Sequence, residues 1–91
     1  MIENTKRVEY SRRFQKQLKR APIEIKIAFL DRRDVFNQDP FQPQLNNHKL
    51  SGSLSNLRSI NITGDWRAIY SETKTVIIFE MLGTHSELYK N

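Results

Sequence analysis

Apolar and polar positions alternate at the start of the chain: Val8 and Tyr10 share one side of a segment from Lys6 to Tyr10, which predicts a short first strand. Ser11 then has the character of a helix N-cap. Phe14, Leu18 and Ala21 follow at helical spacing while Arg12, Arg13, Lys16 and Lys19 turn elsewhere, so a short amphipathic helix is expected to end near Ala21. Pro22 suits the start of a second helix running from Ile23 to about Phe36. There Ile25, Ala28, Phe29 and Phe36 form one stripe, and Ile23, Ile27 and Leu30 widen it into a broad apolar face. The two helices are expected to pack as a hairpin. Asp39-Pro40 and Pro43 break the pattern, and a polar loop rich in turn formers continues through Asn46-Asn47.

After Gly52 the period changes. Three segments rich in β-branched and aromatic residues, Leu57 to Ile62, Trp66 to Ser71 and Thr75 to Leu82, read as an antiparallel meander. Thr63-Gly64-Asp65 and Glu72-Thr73-Lys74 are short enough for its two hairpin turns, and Gly83 is expected to end the last strand. A strand, a helical hairpin and a three-stranded meander predict an α+β fold: one sheet, with the helices on one face and the other face left for solvent or a ligand.

Composition narrows the function classes. A chain of 91 residues has material for one core, since a domain this short buries only about 60% of its unfolded surface; residues 1–91 are therefore read as a single domain. No apolar run approaches the roughly 20 residues of a membrane span, and MIENTKRVEY lacks the apolar stretch of a signal peptide, so no membrane association and a cytoplasmic location are expected. With no cysteine there is no disulfide framework or thiolate site, and two isolated histidines do not make a zinc site; no metal and no cofactor are expected. Fifteen Lys and Arg against ten Asp and Glu leave a net +5, which attracts a polyanion or an acidic protein. Much of this charge sits in the two helices, where a solvated helix face is the plain alternative.

The residues with the most specific pattern lie between His48 and Lys90: His-x-Leu-x-Gly at His48 to Gly52, Leu57-Arg58, Asp-x-Arg-x-x-Tyr at Asp65 to Tyr70, and Gly-Thr-His-x-x-x-Tyr at Gly83 to Tyr89. In this order, behind a strand and a helical hairpin, they resemble the C-terminal half of RelE/ParE-type toxins, and within that superfamily its YafQ-like, RelE/StbE branch. The resemblance implies a microbial RNase-like fold, a place in a type II toxin–antitoxin pair, and endoribonuclease activity on messenger RNA at the ribosome. It also implies a cognate antitoxin as protein partner, with an acidic segment that meets the basic helices.

RNA cleavage without a metal needs a base for the 2′-hydroxyl proton, an acid for the leaving 5′-oxygen, and cations for the charge on phosphorus. His85 follows a strand end, imidazole titrates near neutrality, and the family places its catalytic histidine here; the alternative is a surface histidine tying down the chain end. Arg67 lies on the opposite parity from Trp66, Ala68 and Tyr70, which puts it on the open face as a phosphate clamp, in line with the strand arginine of RelE-like members, unless it pairs with Asp65, Glu72 or Glu80. His48 matches a functional histidine of the YafQ-like branch and is assigned to proton transfer or substrate binding, against a loop-capping role. Asp65 is a carboxylate partner for a histidine or arginine, or ordinary turn chemistry. Arg58, Lys49 and Tyr89 are assigned to RNA binding. Arg58 is taken to be placed like Arg67, with loop anchoring as its alternative, and Tyr89 offers a ring for stacking or a phenol for phosphate.

The pattern also departs from that branch, which has an acidic residue, a histidine and an arginine where this chain has Ser59, Asn61 and Met81. Two other readings therefore stand beside the ribonuclease: a ParE-like toxin that poisons DNA gyrase, and a catalytically attenuated protein that only binds its antitoxin.

Overall fold

A computed structural model describes residues 3–89. The elements run β1 (Arg7–Tyr10), α1 (Arg12–Arg20), α2 (Ile23–Gln38), β2 (His48–Lys49), β3 (Arg58–Asn61), β4 (Trp66–Glu72), β5 (Val76–Thr84) and α3 (His85–Leu88), with short 3-10 turns at Pro43–Leu45 and Gly52–Leu54. Strands β3, β4 and β5 form the expected antiparallel meander. Two edge strands extend it to five, in the order β1-β5-β4-β3-β2. β1 lies parallel to β5, with Arg7 opposite Val76 and Tyr10 opposite Phe79; β2 has only two residues, too few to show a period.

Ser11 caps α1 as its position predicts, accepting from Phe14 N at 3.0 Å, and its hydroxyl also donates to the Glu80 carbonyl at 2.8 Å. Gln17 Oε1 accepts from Leu82 N at 2.7 Å. Since β1 pairs only with Val76 to Phe79, these two α1 side chains satisfy the stretch of β5 edge that β1 leaves bare. Phe14 turns inward onto Phe29 and Phe79, and with Tyr10, Phe36 and Tyr70 forms an aromatic core whose ring centroids stand 5.0 to 6.2 Å apart.

On α2 the expected stripe is half right. Ile25, Phe29 and Phe36 are buried and Ala28 packs against them, but Ile23, Ile27 and Leu30 are 65%, 62% and 46% exposed. A helix on a sheet buries one stripe, and at about 100° per residue Ile23, Ile27 and Leu30 lie roughly opposite Ile25, Phe29 and Phe36, on the face turned away from the sheet. No helix among the described residues is long and apolar enough to cross a membrane.

The meander carries one irregularity that sequence alternation hides. Ile69 pairs with Met81 but Tyr70 pairs with Phe79, which leaves Glu80 as the extra residue of a bulge. Phe79 and Leu82, of opposite parity, can thus both enter the core. The face away from the helices carries Ser59 and Asn61 from β3, Arg67, Ile69 and Ser71 from β4, and Met81 and Gly83 from β5. Gly83 lies inside β5 and does not end it. A Cβ there would stand 3.3 Å from Glu87 Oε1 and from Leu88, so the bare backbone gives the two α3 side chains a close approach to the strand.

Candidate active site on the open sheet face

The turn after β5 is set by a capping box. Thr84 Oγ1 accepts from Glu87 N at 3.3 Å, and Glu87 Oε1 in return accepts from Thr84 N at 2.8 Å and from its hydroxyl at 2.9 Å. The Thr84 amide and then its hydroxyl hold the Glu87 carboxyl below its ordinary pKa. His85 becomes the first residue of α3, and its N–H donates to the Asp65 carbonyl at 2.9 Å, pinning the helix to the β3–β4 hairpin. One turn on, Tyr89 presents its ring to His85 with centroids 4.6 Å apart at 63°. The Tyr89 hydroxyl reaches Ser59 Oγ at 3.1 Å. That reach explains why Ser59 and Ile69, on the nominally open face, are both 0% exposed.

His48 pairs with Ser59 across the β2–β3 ladder, so their side chains share this face. Asn46 adopts a left-handed conformation, φ 44° and ψ 48°, which brings its carbonyl to 2.8 Å from His48 Nδ1. A carbonyl only accepts, so Nδ1 carries a proton, and in the neutral ring the lone pair is on Nε2. His48 does cap its loop, and the same bond leaves its other nitrogen for proton transfer. His48, Ser59, Tyr89 and His85 thus form a row across the sheet, with both histidines exposed.

Arg67 lies on the same face, opposite Asn61 on β3 and Gly83 on β5, as its parity predicts. Its partners differ from those expected. Nη1 donates to the carbonyls of Thr63, Gly64 and Trp66 at 3.1, 3.2 and 3.2 Å, and the ion pairs among the described residues are Lys6–Glu72, Arg7–Glu9 and Arg32–Asp31. The guanidinium therefore buttresses the hairpin through one nitrogen and keeps its charge free of any carboxylate. Beside it, Asn61 Oδ1 is buried with no hydrogen-bond partner among the described residues, a state that costs an acceptor about 1–3 kcal/mol.

Three assigned residues are placed otherwise. Arg58 is on the helical side of the sheet, because Ile60 and Ile62 face the core and Arg58 shares their parity. Its Nε donates to Asn47 Oδ1 at 2.8 Å, and its guanidinium carbon stands 5.4 Å from the Phe41 ring centroid; it anchors the loop. Lys49 pairs with Arg58 and shares that side, away from His48. Asp65 meets His85 through its backbone carbonyl, and among the described residues its carboxylate makes no ion pair with His85 or Arg67. Nearby, burial pushes the Tyr70 hydroxyl pKa up, against the opposing pull of the Asn47 hydrogen bond and the Arg58 charge.

Ser59 and Asn61 count in the sequence as missing acid–base groups, yet they stand at the centre of the arrangement. The parity of Ile60 and Ile62 places them on this face, and Thr84-His85-Ser86-Glu87 carries the spacing of a capping box from which α3 could be read. Among the described residues no three His, Asp or Glu side chains gather as a metal-ligand set. One cleft lies away from this row, between α1 and the end of β5, lined by Gln17, Trp66, Leu82 and Leu88. Exposed histidines on a sheet suit an extended single strand better than an enclosed small molecule.

Residues 6–90 match the family profile described as "Bacterial toxin of type II toxin-antitoxin system, YafQ". The mRNA interferase toxin YafQ of Escherichia coli K12 is 30% identical over 86 residues, spanning 90% of this chain and 94% of that protein. The crystal structure of YafQ from E. coli BL21(DE3) superposes with a TM-score of 0.72 at 28% identity, covering 93% of this chain and 99% of that one. YafQ in the E. coli DinJ–YafQ complex superposes with a TM-score of 0.71 at 29% identity, covering 93% and 99%.

Proposed function

Because the chain belongs to the YafQ family of bacterial toxins of type II toxin–antitoxin systems, we propose that it is an endoribonuclease that cleaves messenger RNA on the ribosome, in the cytoplasm, without a metal ion. His48 Nε2 takes the proton of a 2′-hydroxyl, whose oxygen attacks the adjacent phosphorus; His85 protonates the departing 5′-oxygen. One fragment ends in a 2′,3′-cyclic phosphate and the other in a 5′-hydroxyl. Nitrogens of Arg67 other than Nη1 offset charge on the phosphoryl oxygens. Tyr89, its phenol committed to Ser59, offers its ring to a base.

The observation that carries this reading is the His85–Tyr89–Ser59–His48 row, in which two imidazoles share one face with a single Tyr89–Ser59 hydroxyl bond between them. The relative named an mRNA interferase supports the substrate class. The DinJ–YafQ complex supports an antitoxin as partner, and the exposed cations of α1, Arg12, Arg13, Lys16, Lys19 and Arg20, fit an acidic segment of it.

The test is the end chemistry of a defined message cleaved on translating ribosomes, beside gyrase supercoiling on the same preparation. Fragments ending in 2′,3′-cyclic phosphate and 5′-hydroxyl support the proposal, and 5′-phosphate ends contradict it. Supercoiling inhibition without cleavage supports the gyrase reading instead. Growth that continues on expression, with tight antitoxin binding, supports the attenuated protein, a reading favoured by Arg67 being engaged with hairpin carbonyls.

A further inference from the structure

The loop between α2 and β2 holds an aromatic ring that the core does not bury. Phe41 is 55% exposed, yet it is fixed in place. Asp39 Oδ1 accepts from Phe41 N at 3.0 Å, and Asn47 Nδ2 donates to the Pro40 carbonyl at 2.9 Å and to the Tyr70 hydroxyl at 2.8 Å. Asn47 Oδ1 accepts from Arg58 Nε at 2.8 Å, which sets the guanidinium 5.4 Å from the Phe41 ring centroid. One asparagine thus orients both halves of an aromatic–cation pair. Lys49, exposed, stands next to Arg58 on the same side of the sheet. The neighbouring carboxylate, Glu72, is held by Lys6 at 2.6 Å, so the local field stays positive.

We infer that Phe41 and Arg58 form a stacking platform for a nucleobase of single-stranded RNA that passes round the β2 edge from the open face. β2 is an edge strand, and its consecutive residues His48 and Lys49 project to opposite sides of the sheet. A strand held at His48 therefore has Lys49 for its next phosphate contact and the Phe41 ring for a base beyond it. Stacking on a ring accepts any base, and the guanidinium adds a cation–π contribution. An apolar protein anchor does not need the Lys49–Arg58 charge beside the ring. This inference rests on the ribonuclease reading and places a second contact on its substrate, on the far side of the sheet from the cleaved bond.

The probe is a set of end-labelled 2′-O-methyl oligoribonucleotides of increasing length, which cannot be cleaved, read by fluorescence anisotropy. Phe41→Ala is expected to weaken the longer oligonucleotides about tenfold, within the range of one base stacked on one ring, and to leave the shortest unchanged. Phe41→Trp is expected to bind like wild type, with indole emission quenched by the longer oligonucleotides alone. Equal binding by Phe41→Ala and wild type at every length overturns the platform. So does a Phe41→Ala protein that loses antitoxin affinity while binding RNA normally, since the ring is then a protein anchor. Wild type that cleaves messages on ribosomes but binds no oligonucleotide overturns the platform alone; absence of both activities removes the ribonuclease reading with it.

Discussion

The Tyr89 hydroxyl donates to Ser59 Oγ at 3.1 Å, tying the turn after α3 to the middle of a sheet strand 30 residues earlier. It adds to the capping box and the Asp65 carbonyl, the other hydrogen bonds that hold α3 among the described residues. Ser59→Ala and Tyr89→Phe are each expected to cost about 1 kcal/mol in urea unfolding, the usual net worth of one neutral hydrogen bond. The double variant should cost no more than either single one, a coupling of about 1 kcal/mol. Additive losses would show that the two hydroxyls act separately.

His85→Ala is expected to lower message cleavage about 10² to 10⁴-fold, as for loss of a proton-transfer group. Its side chain is exposed, so stability should stay within about 0.5 kcal/mol. Arg67→Ala differs: it is expected to lower cleavage about 10² to 10³-fold and also to destabilise, because three hairpin carbonyls lose their donor. Thermal unfolding beside cleavage rates separates the two, and an Arg67→Ala protein with unchanged Tm would remove the buttressing role.

Glu87 supplies a pH dependence. Its folded pKa lies below the ordinary carboxylate value, held there by the Thr84 amide and hydroxyl. The contribution to α3 is therefore fully present above the unfolded pKa and disappears as pH falls through the lowered folded value. Protection of the Thr84 amide, its exchange relative to the unstructured rate at the same pH, should be high at neutral pH and fall below the ordinary carboxylate range. Glu87→Gln, which can still accept in the capping box, should abolish that acid transition. A wild-type profile that is flat in acid would contradict the assignment.

Met81 occupies the open face opposite Ile69, next to the bulged Glu80, whose carboxylate accepts from Ser71 Oγ at 2.7 Å. In Met81→Arg the new guanidinium is expected to pair with Glu80 in preference to substrate phosphate. Cleavage on ribosomes should then change less than tenfold. A larger gain would correspond to more than about 1.4 kcal/mol of added transition-state stabilisation, and would assign the phosphate clamp to that position and not to Arg67.

Elements with several periods of their own pattern are legible in the chain. Ser11 with Phe14 and Leu18 gives α1, Ile25 with Phe29 and Phe36 gives the buried line of α2, and Ile60, Ile62, Ala68 and Tyr70 give the core side of the meander. The motifs around His85 and His48 are legible too, and they mark both histidines as candidates for proton transfer. The face of Arg67 follows from its neighbours, but its hairpin partners do not, because carbonyl contacts leave no trace in side-chain identity. The side taken by Arg58 is legible as well, since alternation with Ile60 and Ile62 sends it to the helical side and away from Arg67.

Local pattern alone thus determined the helical hairpin, the three central strands, the cap at Ser11 and the histidine-bearing motifs. Each depends on contacts within a turn or two, or on a period long enough to repeat. Tertiary structure decided the rest. Two residues cannot show a period, so β2 exists only by pairing with β3. The parallel placement of β1 depends on a strand nearly seventy positions away, Arg7 meeting Val76. The Glu80 bulge is a mismatch between two strands and belongs to neither one's pattern. The burial of Ser59 under Tyr89, which turns an apparent gap in the polar set into the centre of the candidate site, arises only when α3 folds back over Gly83 and closes the distance between two ends of the same sheet face.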